Sequence, residues 1–255
     1  MRIVRYDADG TPAWGVLDGD TVRATQGRPF VDLRAGEVVG PVAGLTLLAP
    51  VDPRVIMCVG RNYVAHAEEF GNQPPERPLL FMKPPTSVIG PDAAIVHPQL
   101  SERVDPEGEL VVVIGEHAHG VAREDAWKVV GGYTLGNDVT ARDLQKSDPG
   151  GQWTRGKGFA TFCPIGPWIE TDFDPTDVEL TCRVGDEVRQ RGRTSAFIFD
   201  IPTLIEYITA FVRLEPGDLI MTGTPEGVRP VAIGDVVTVA AAGLGELRNP
   251  VVAPR

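Results

Sequence analysis

Two glutamates stand two residues apart in the stretch VDPEGELVVVIG, at the mouth of the apolar run Leu110 to Ile114. Residues i and i+2 of a β-strand point to one face, so Glu107 and Glu109 project side by side, aligned with Val111 and Val113. The run is apolar without alternation, which predicts a strand buried on both faces and a carboxylate pair that leads inward. Two readings are open at this point. Either the strand begins at a solvated rim with both carboxylates in water, or the pair holds a hard divalent cation, because close buried carboxylates demand a counter-charge. Asp138, which closes the strand-like segment GGYTLGNDV, is placed to be a third oxygen ligand. An Asp after a strand is equally an ordinary turn former.

Further chemistry-bearing residues lie on either side. In RNYVAHAEEF, a short helix from Val64 to Phe70 sets His66 and Glu69 at i, i+3, where the carboxylate orients the imidazole and raises its basicity. The alternative is a surface helix with an incidental ion pair. Arg142 and Gln145 share the same spacing and can grip a carboxylate from one side. Lys157 is a lone cation in a loop that enters FATFCPIGP.

Other patterns are excluded on their chemistry. Gly151 to Lys157 matches the G-x-x-x-x-G-K skeleton of a phosphate-binding loop, but Gly158 stands where the magnesium-binding hydroxyl is needed, and no apolar strand leads in. Two histidines at i, i+2 in Glu116 to His119 sit between Gly115 and Gly120, which predicts a solvated turn in preference to a metal site. His97, in VHP, reads as a loop residue. Neither a G-x-S-x-G motif nor a cysteine with a His/Asn framework is present, so acyl-enzyme chemistry has no support.

The elements that must position these residues are mostly strands. RVIMCVG, ELVVVIG, GGYTLGNDVT, VELTCRVG, DLIMTG and DVVTVAA are separated by turn signals, and the 29 glycines and 23 prolines are spread along the chain as punctuation. Residues 1–50 read as a small N-terminal β domain with hairpin turns at Asp9-Gly10 and Asp18-Gly19. LLAPVDP, ending at Pro53, reads as a linker into a catalytic domain over residues 51–255. The main helix is predicted from Asp200 to Val212, with Leu204, Ile205, Ile208 and Phe211 on one face, Asp200 as cap and Pro202 in the first turn.

Composition bounds the partners. A formal charge of -11 argues against nucleic acid, whose backbone binding requires clustered Lys and Arg. Cys58, Cys163 and Cys182 are odd in number with no CxxC spacing, which fits reduced thiols in a cytoplasmic protein. MRIVRYDADG carries no apolar targeting segment, and no apolar run approaches a membrane span.

Taken in order, GRNYVAHAEE, RPLLFMKP, EGELVVVIG, GYTLGNDVTARDLQ, GKGFATFCPIGP and EPGDLIMTGTPEGV resemble the fumarylacetoacetate hydrolase family, from Arg54 to the end of the chain. Within it the chain is most similar to the acylpyruvase and hydroxyheptadienedioate isomerase-like branch. The resemblance implies a β-rich α+β fold with a rolled mixed β-sheet, a homodimer, and a Mg²⁺ or Mn²⁺ cofactor. It implies Glu107, Glu109 and Asp138 as metal ligands, His66 with Glu69 as catalytic dyad, and Lys157 as a catalytic lysine beside the metal. It assigns Arg142, Gln145 and Thr224 to the substrate's carboxylate and oxo groups, and Glu68 to Pro78 to a mobile lid. Gly108 is then expected to keep the strand mouth open to substrate. Three departures from the family pattern, Ala160, Ala196 and Arg229, bear on substrate identity.

The activity so implied is a metal-dependent C–C bond hydrolase cleaving acylpyruvate or fumarylpyruvate-type 2,4-dioxo acids through a pyruvate enolate. Oxaloacetate or oxo-tricarboxylate decarboxylation, and the isomerisation of 2-hydroxyhepta-2,4-diene-1,7-dioate in aromatic catabolism, use the same enolate and are the alternatives. A non-catalytic 2-oxo acid binding module is the alternative of another class.

Overall fold

A computed structural model describes residues 1–147 and 150–254. Its longest sheet has twelve strands and runs in the order Arg34–Pro41, Thr21–Gln26, Thr11–Asp18, Arg2–Ala8, Cys163–Glu170, Val130–Asn137, Gly108–Ile114, Leu219–Met221, Ile56–Gly60 and Leu79–Met82. The short strands Leu47–Leu48 and Val88–Ile89 pair beside Arg2–Ala8 and Cys163–Glu170. A second, five-stranded sheet is ordered Glu187–Arg193, Glu179–Val184, Val236–Ala241, Gly245–Val252 and Ile95–Val96. Most pairings are antiparallel, but Leu219–Met221 runs parallel to Ile56–Gly60, so the sheet is mixed. The fold class expected from the sequence is the one observed: β-rich, mixed, with few helices.

The hairpins form where Asp-Gly pairs stand. Ala8 pairs with Thr11 across Asp9 and Gly10, both at positive φ, and Asp18 pairs with Thr21. Such turns match the strand twist only when φ > 0 is affordable, which Gly and Asp allow. The N-terminal strands are continuous with the long sheet, because Arg2 and Ile3 pair with Glu170 and Ile169. LLAPVDP is only partly a linker, since Leu47 and Leu48 add to the strand Arg2–Ala8.

Alternation along Gly108–Ile114 divides the core. Leu110, Val112 and Ile114 face the apolar cluster shared with the second sheet, among them Leu180, Cys182, Val239 and Leu247. Val111 and Val113 face the other cluster, with Ile56, Cys58, Ile165 and Leu219. The strand is thus buried on both faces, as its unbroken apolar run predicts. Gly108 serves a different purpose from the one expected. A Cβ there would meet the Cys182 Cβ at 3.0 Å and a Val239 methyl at 3.2 Å, so the glycine permits the two sheets to approach and does not open the strand to substrate.

The main helix spans Ile201–Thr209, and Asp200 caps it by accepting from the Thr203 N–H at 3.0 Å. Leu204, Ile205 and Ile208 are buried, but Phe211 lies beyond the helix end and is exposed, so it is not part of the packed face. Among the described residues, no helix is long and apolar enough to cross a membrane. Cys58, Cys163 and Cys182 are buried free thiols.

Bonds from Arg123, opposed by partial burial, hold the Asp200 carboxyl well below its usual range, and Thr203 assists. A depressed carboxyl stabilises the fold above its unfolded value of about 4 and loses that contribution as pH falls. Asp200→Ala should therefore cost about 1 kcal/mol at pH 7 in urea denaturation, with the deficit shrinking at pH below about 4.

Candidate active site

Four strands of the long sheet deliver their ends to one rim. Antiparallel pairing sets Gly108 opposite Asn137 and Glu109 opposite Gly136, so the start of one strand lies beside the end of the next. Glu107, Glu109 and Asp138, far apart in sequence, meet there with ligand oxygens within 4.8 Å of one another. The junction is tied by backbone groups: Asp138 N–H donates to the Glu107 carbonyl at 2.8 Å, and Glu107 N–H donates to Asn137 Oδ1 at 2.9 Å. Leu219–Met221 and Ile56–Gly60 end at the same rim, bringing Gly223 and Thr224 from one side and Arg61 and His66 from the other. Asn62 locks these two ends together, donating to the Thr222 carbonyl at 2.8 Å and accepting from the Phe199 N–H at 2.8 Å.

The result is a cleft of about 380 Å³. It is lined by His66, Glu107, Glu109, Asp138, Arg142, Gln145, Lys157 and Thr224, so eight of the nine sequence-predicted site residues reach it. The ninth, Glu69, lies behind His66 and pairs with its Nδ1 at 3.3 Å. Val64–Glu69 is helical, as the spacing requires. Gly227 N–H donates to the other Glu69 oxygen at 3.1 Å. Burial opposes ionisation of Glu69, but the bonds from His66 and Gly227 win and lower its pKa.

Electrostatics organise the floor of the cleft. Lys157 Nζ donates to Glu107 Oε2 and Thr140 Oγ1, both at 2.8 Å, and also to Asp138. It lies on the short helix Trp153–Lys157 and is 2% exposed, so it is not the flexible-loop cation that the glycines suggested. Gly156 makes this placement possible, because a Cβ there would meet the Gln145 N and Cα at 2.9 Å. The ring centroids of Phe81 and Trp153 lie 4.9 and 5.8 Å from Nζ. Burial disfavours its charge, but Asp138 and Glu107 outweigh burial and raise the pKa.

Arg142 is held at all three of its nitrogens. Its Nε donates to Asp105 at 2.9 Å, one terminal nitrogen to Gln145 Oε1 at 2.9 Å, and the other to Glu107. That bond fixes which end of the cleft-lining Gln145 amide is the oxygen, so Nε2 is its donor end. Thr224 Oγ1 donates to the Gly108 carbonyl at 2.9 Å and accepts from Gln190 at 2.8 Å.

The pairing pattern singles out Glu109. Glu107 is held well below the usual carboxylate range: burial pushes it up, but Lys157 and Arg142 more than compensate. Asp138 has Lys83, at 2.6 Å, as well as Lys157, and Asp105 has Arg142 and the half-exposed Arg103. Glu109, 2% exposed, forms no ion pair among the described residues, and its one described hydrogen bond is from the Gly223 N–H at 2.8 Å. Burial, then the charges of Asp138 and Glu107, push its carboxyl well up. Three buried carboxylates with all-oxygen donors, one of them with no ion pair among the described residues, fit Mg²⁺ or Mn²⁺ better than zinc or copper.

Several residues of this assembly were not foreseen. Lys83 follows the strand Leu79–Met82 and precedes a proline, a pattern that reads as surface, yet it is 1% exposed and donates to Asp138 and the Val139 carbonyl. Asp105 pairs with Thr140 in the two-stranded ribbon of Val104–Asp105 and Thr140–Ala141, which sets it under Arg142. Its position two residues before Glu107 was the available signal. Phe70 is the third: its ring stacks edge-on to His66 at 5.3 Å and lies 4.9 Å from the Arg142 guanidinium. The exposed Ala160, Ala196 and Arg229 line no part of the cleft, and Arg229 pairs with Glu187 at 3.0 Å. His117 and His119 are exposed in the turn expected for them.

The fold is β-rich, and its strand ends converge on a carboxylate triad that could hold a metal ion, a buried lysine and a His-Glu pair; comparison with known proteins places the chain in a family of enzymes. Residues 55–252 match the model of the fumarylacetoacetate (FAA) hydrolase C-terminal family, and residues 1–50 match an Rv2993c-like N-terminal family. The chain belongs to the fumarylacetoacetate hydrolase family. It is 45% identical to Protein Rv2993c of Mycobacterium tuberculosis, over 99% of this chain and 98% of that one. The structure of a 5-carboxymethyl-2-hydroxymuconate delta-isomerase from Mycobacterium smegmatis superposes with a TM-score of 0.91 at 43% identity, covering all of both chains. Human mitochondrial oxaloacetate tautomerase FAHD2A is 42% identical over 83% of this chain and 71% of its own length.

Glu109→Gln keeps shape and the Gly223 bond while removing the carboxylate that lacks a cation. The metal-free variant should melt no lower than the parent. The parent should gain about 2.7 kcal/mol at a Mg²⁺ concentration 100 times its Kd, and the variant should gain almost none. Lys83→Met, which strips Asp138 of a buried partner, should instead cost about 3–5 kcal/mol in the metal-free protein. Thermal unfolding with and without chelator measures all three.

Proposed function

We propose that this protein is a divalent-metal-dependent isomerase or tautomerase of 2-oxo acids, in which His66 moves a proton on the carbon next to the oxo group. The observation that carries this reading is that His66 and the carboxylate triad face one cleft. A cation held by Glu107, Glu109 and Asp138 supplies Lewis-acid stabilisation of charge on the substrate's oxo oxygen.

The chain's own residues account for the rest. With Nδ1–H donating to Glu69, His66 presents Nε2 as the lone-pair nitrogen, and no described protein group occupies it. Ionised Glu69 stabilises the imidazolium formed when the proton is taken. The C–H electron pair then moves toward the oxo oxygen, where the fixed positive charge of Lys157 stabilises it. His66 returns the proton to oxygen, to the same carbon or to a conjugated carbon, which makes one base sufficient for enolisation and for double-bond migration. The Gln145 amide, held by Arg142, offers N–H donors to the substrate carboxylate, and Phe81 and Trp153 exclude water beside Lys157. The names of the mycobacterial isomerase and the human tautomerase fit this proton-transfer chemistry.

Hydrolysis of an acylpyruvate is a second reading. It is favoured by the same free Nε2, which can as well deprotonate a water placed beside the substrate in a cleft of this size. The two readings part on product. With Mg²⁺, the protein should accelerate decay of the enol absorbance of oxaloacetate without releasing an acid from an acylpyruvate, and His66→Ala should lower that rate about 10²–10⁴-fold. Acid release from acetylpyruvate at a greater kcat/KM would favour the hydrolase. No effect on any 2-oxo acid would leave a binding module.

A further inference from the structure

The second sheet also takes part in the site. Its edge strand, Glu187–Arg193, is mostly exposed or half-buried, yet Gln190 on it is 1% exposed. A bulge aims this side chain: Gln190 pairs with Cys182 and Val188 with Arg183, so Arg189 is an extra residue in the ladder. The Gln190 amide then bonds to elements of the site. Its Oε1 accepts from the Gly108 N–H at 3.0 Å, and its Nε2 donates to Thr224 Oγ1 and to the Pro225 carbonyl, both at 2.8 Å. Gly108 is the residue between Glu107 and Glu109, and its carbonyl accepts from the same Thr224 hydroxyl.

The loop that Gln190 holds carries two backbone N–H groups that touch the chemistry. Gly223 N–H donates to Glu109, and Gly227 N–H, further along, donates to Glu69. Thr224 and Pro225, which Gln190 binds, lie between them. The strand backs the same loop at other points. A Cβ on Gly192 would meet the Pro225 Cβ at 2.6 Å, and one on Gly227, whose φ is +98°, would meet the Arg189 carbonyl oxygen at 2.0 Å. Arg189 Nη1 donates to the Pro230 carbonyl at 2.8 Å and ties down the loop's far end. A buried amide whose oxygen and nitrogen are both bonded holds such a loop in one place.

We propose that Gln190 is a positioning residue for the reaction: by tying Thr224 and Pro225 to Gly108, it sets the spacing between Glu109 of the carboxylate triad and Glu69, which orients His66. It acts without touching substrate, through the two glycine N–H groups. The proposal rests on the reading of the cleft as a metal-assisted proton-transfer site. Removing a group that holds the residues around a metal typically costs about 10–100-fold in metal affinity or activity.

Gln190→Met keeps the length of the side chain and removes the amide. Thr194→Val is the structural control, because just past the same strand it strips two buried hydrogen bonds, from the Val178 N–H at 2.8 Å and to the Pro175 carbonyl at 2.7 Å. At saturating Mg²⁺ and oxaloacetate, Gln190→Met should lower kcat for enol decay about 10–100-fold with KM within threefold, and Thr194→Val should keep kcat within twofold. Measured without substrate, the Gly223 and Gly227 amides should exchange with solvent deuterium at least tenfold faster in Gln190→Met than in Thr194→Val. Gln190→Asn, which keeps the amide but stops one methylene short, replaces Gln190→Met if that variant does not fold, with a fall in kcat of at least about tenfold expected. A kcat within threefold of Thr194→Val, or exchange at both glycines no faster than in Thr194→Val, would overturn the positioning role. A parent that turns over no 2-oxo acid sinks the proton-transfer reading, and the exchange result then decides by itself whether Gln190 sets the loop.

Discussion

Buried charge is the constraint on which the rest of this structure depends. Asp105, Glu107, Glu109 and Asp138 are all nearly inaccessible, and so are Lys83, Arg142 and Lys157 among them. Removing a carboxylate from water costs several kcal/mol even after relaxation, so such a group persists only when each member is matched in position as well as in sign. Three of the four carboxylates are matched twice. Glu109 is matched by a single backbone N–H among the described residues, an imbalance that a bound cation would correct.

The fold serves this arrangement through strand pairing. Register between Gly108–Ile114 and Val130–Asn137 sets the triad, and a one-residue slip would turn Glu109 into the opposite apolar cluster. Close approach of elements sets the cations. Gly156 lets the helix bearing Lys157 lie on the Gln145 backbone, and Gly108 lets the second sheet press against the strand mouth. The His66 helix reaches the same rim because Ile56–Gly60 is parallel to Leu219–Met221 and ends where it ends.

Much of this was legible in the sequence because it followed local periodicity. The i, i+2 parity of Glu107 and Glu109, the i, i+3 spacing of His66 and Glu69, and the unbroken apolar run after Glu109 all describe short-range geometry that strands and helices impose. What periodicity does not encode is which distant element supplies the counter-charge. Lys83 reads as a surface lysine before a proline, and only the pairing of Leu79–Met82 with Ile56–Gly60 carries it inward to Asp138. Lys157 reads as a loop residue because Gly156 and Gly158 flank it, whereas the glycine before it serves helix packing. Arg142 lines the cleft as expected, but its bonds to Asp105 and Glu107 make it a buried counter-ion as well, which its i, i+3 spacing with Gln145 does not reveal. Phe211 fits the helical spacing but falls past the point where the helix ends.

We propose that Glu107, Glu109 and Asp138 together hold one divalent cation. Crystals soaked in Mn²⁺ and measured for anomalous scattering test it directly. A single strong peak per chain is expected in the cleft, about 2.0–2.5 Å from an oxygen of each of the three carboxylates. Absence of a peak there at saturating Mn²⁺, or a peak that Glu109 does not touch, would contradict it.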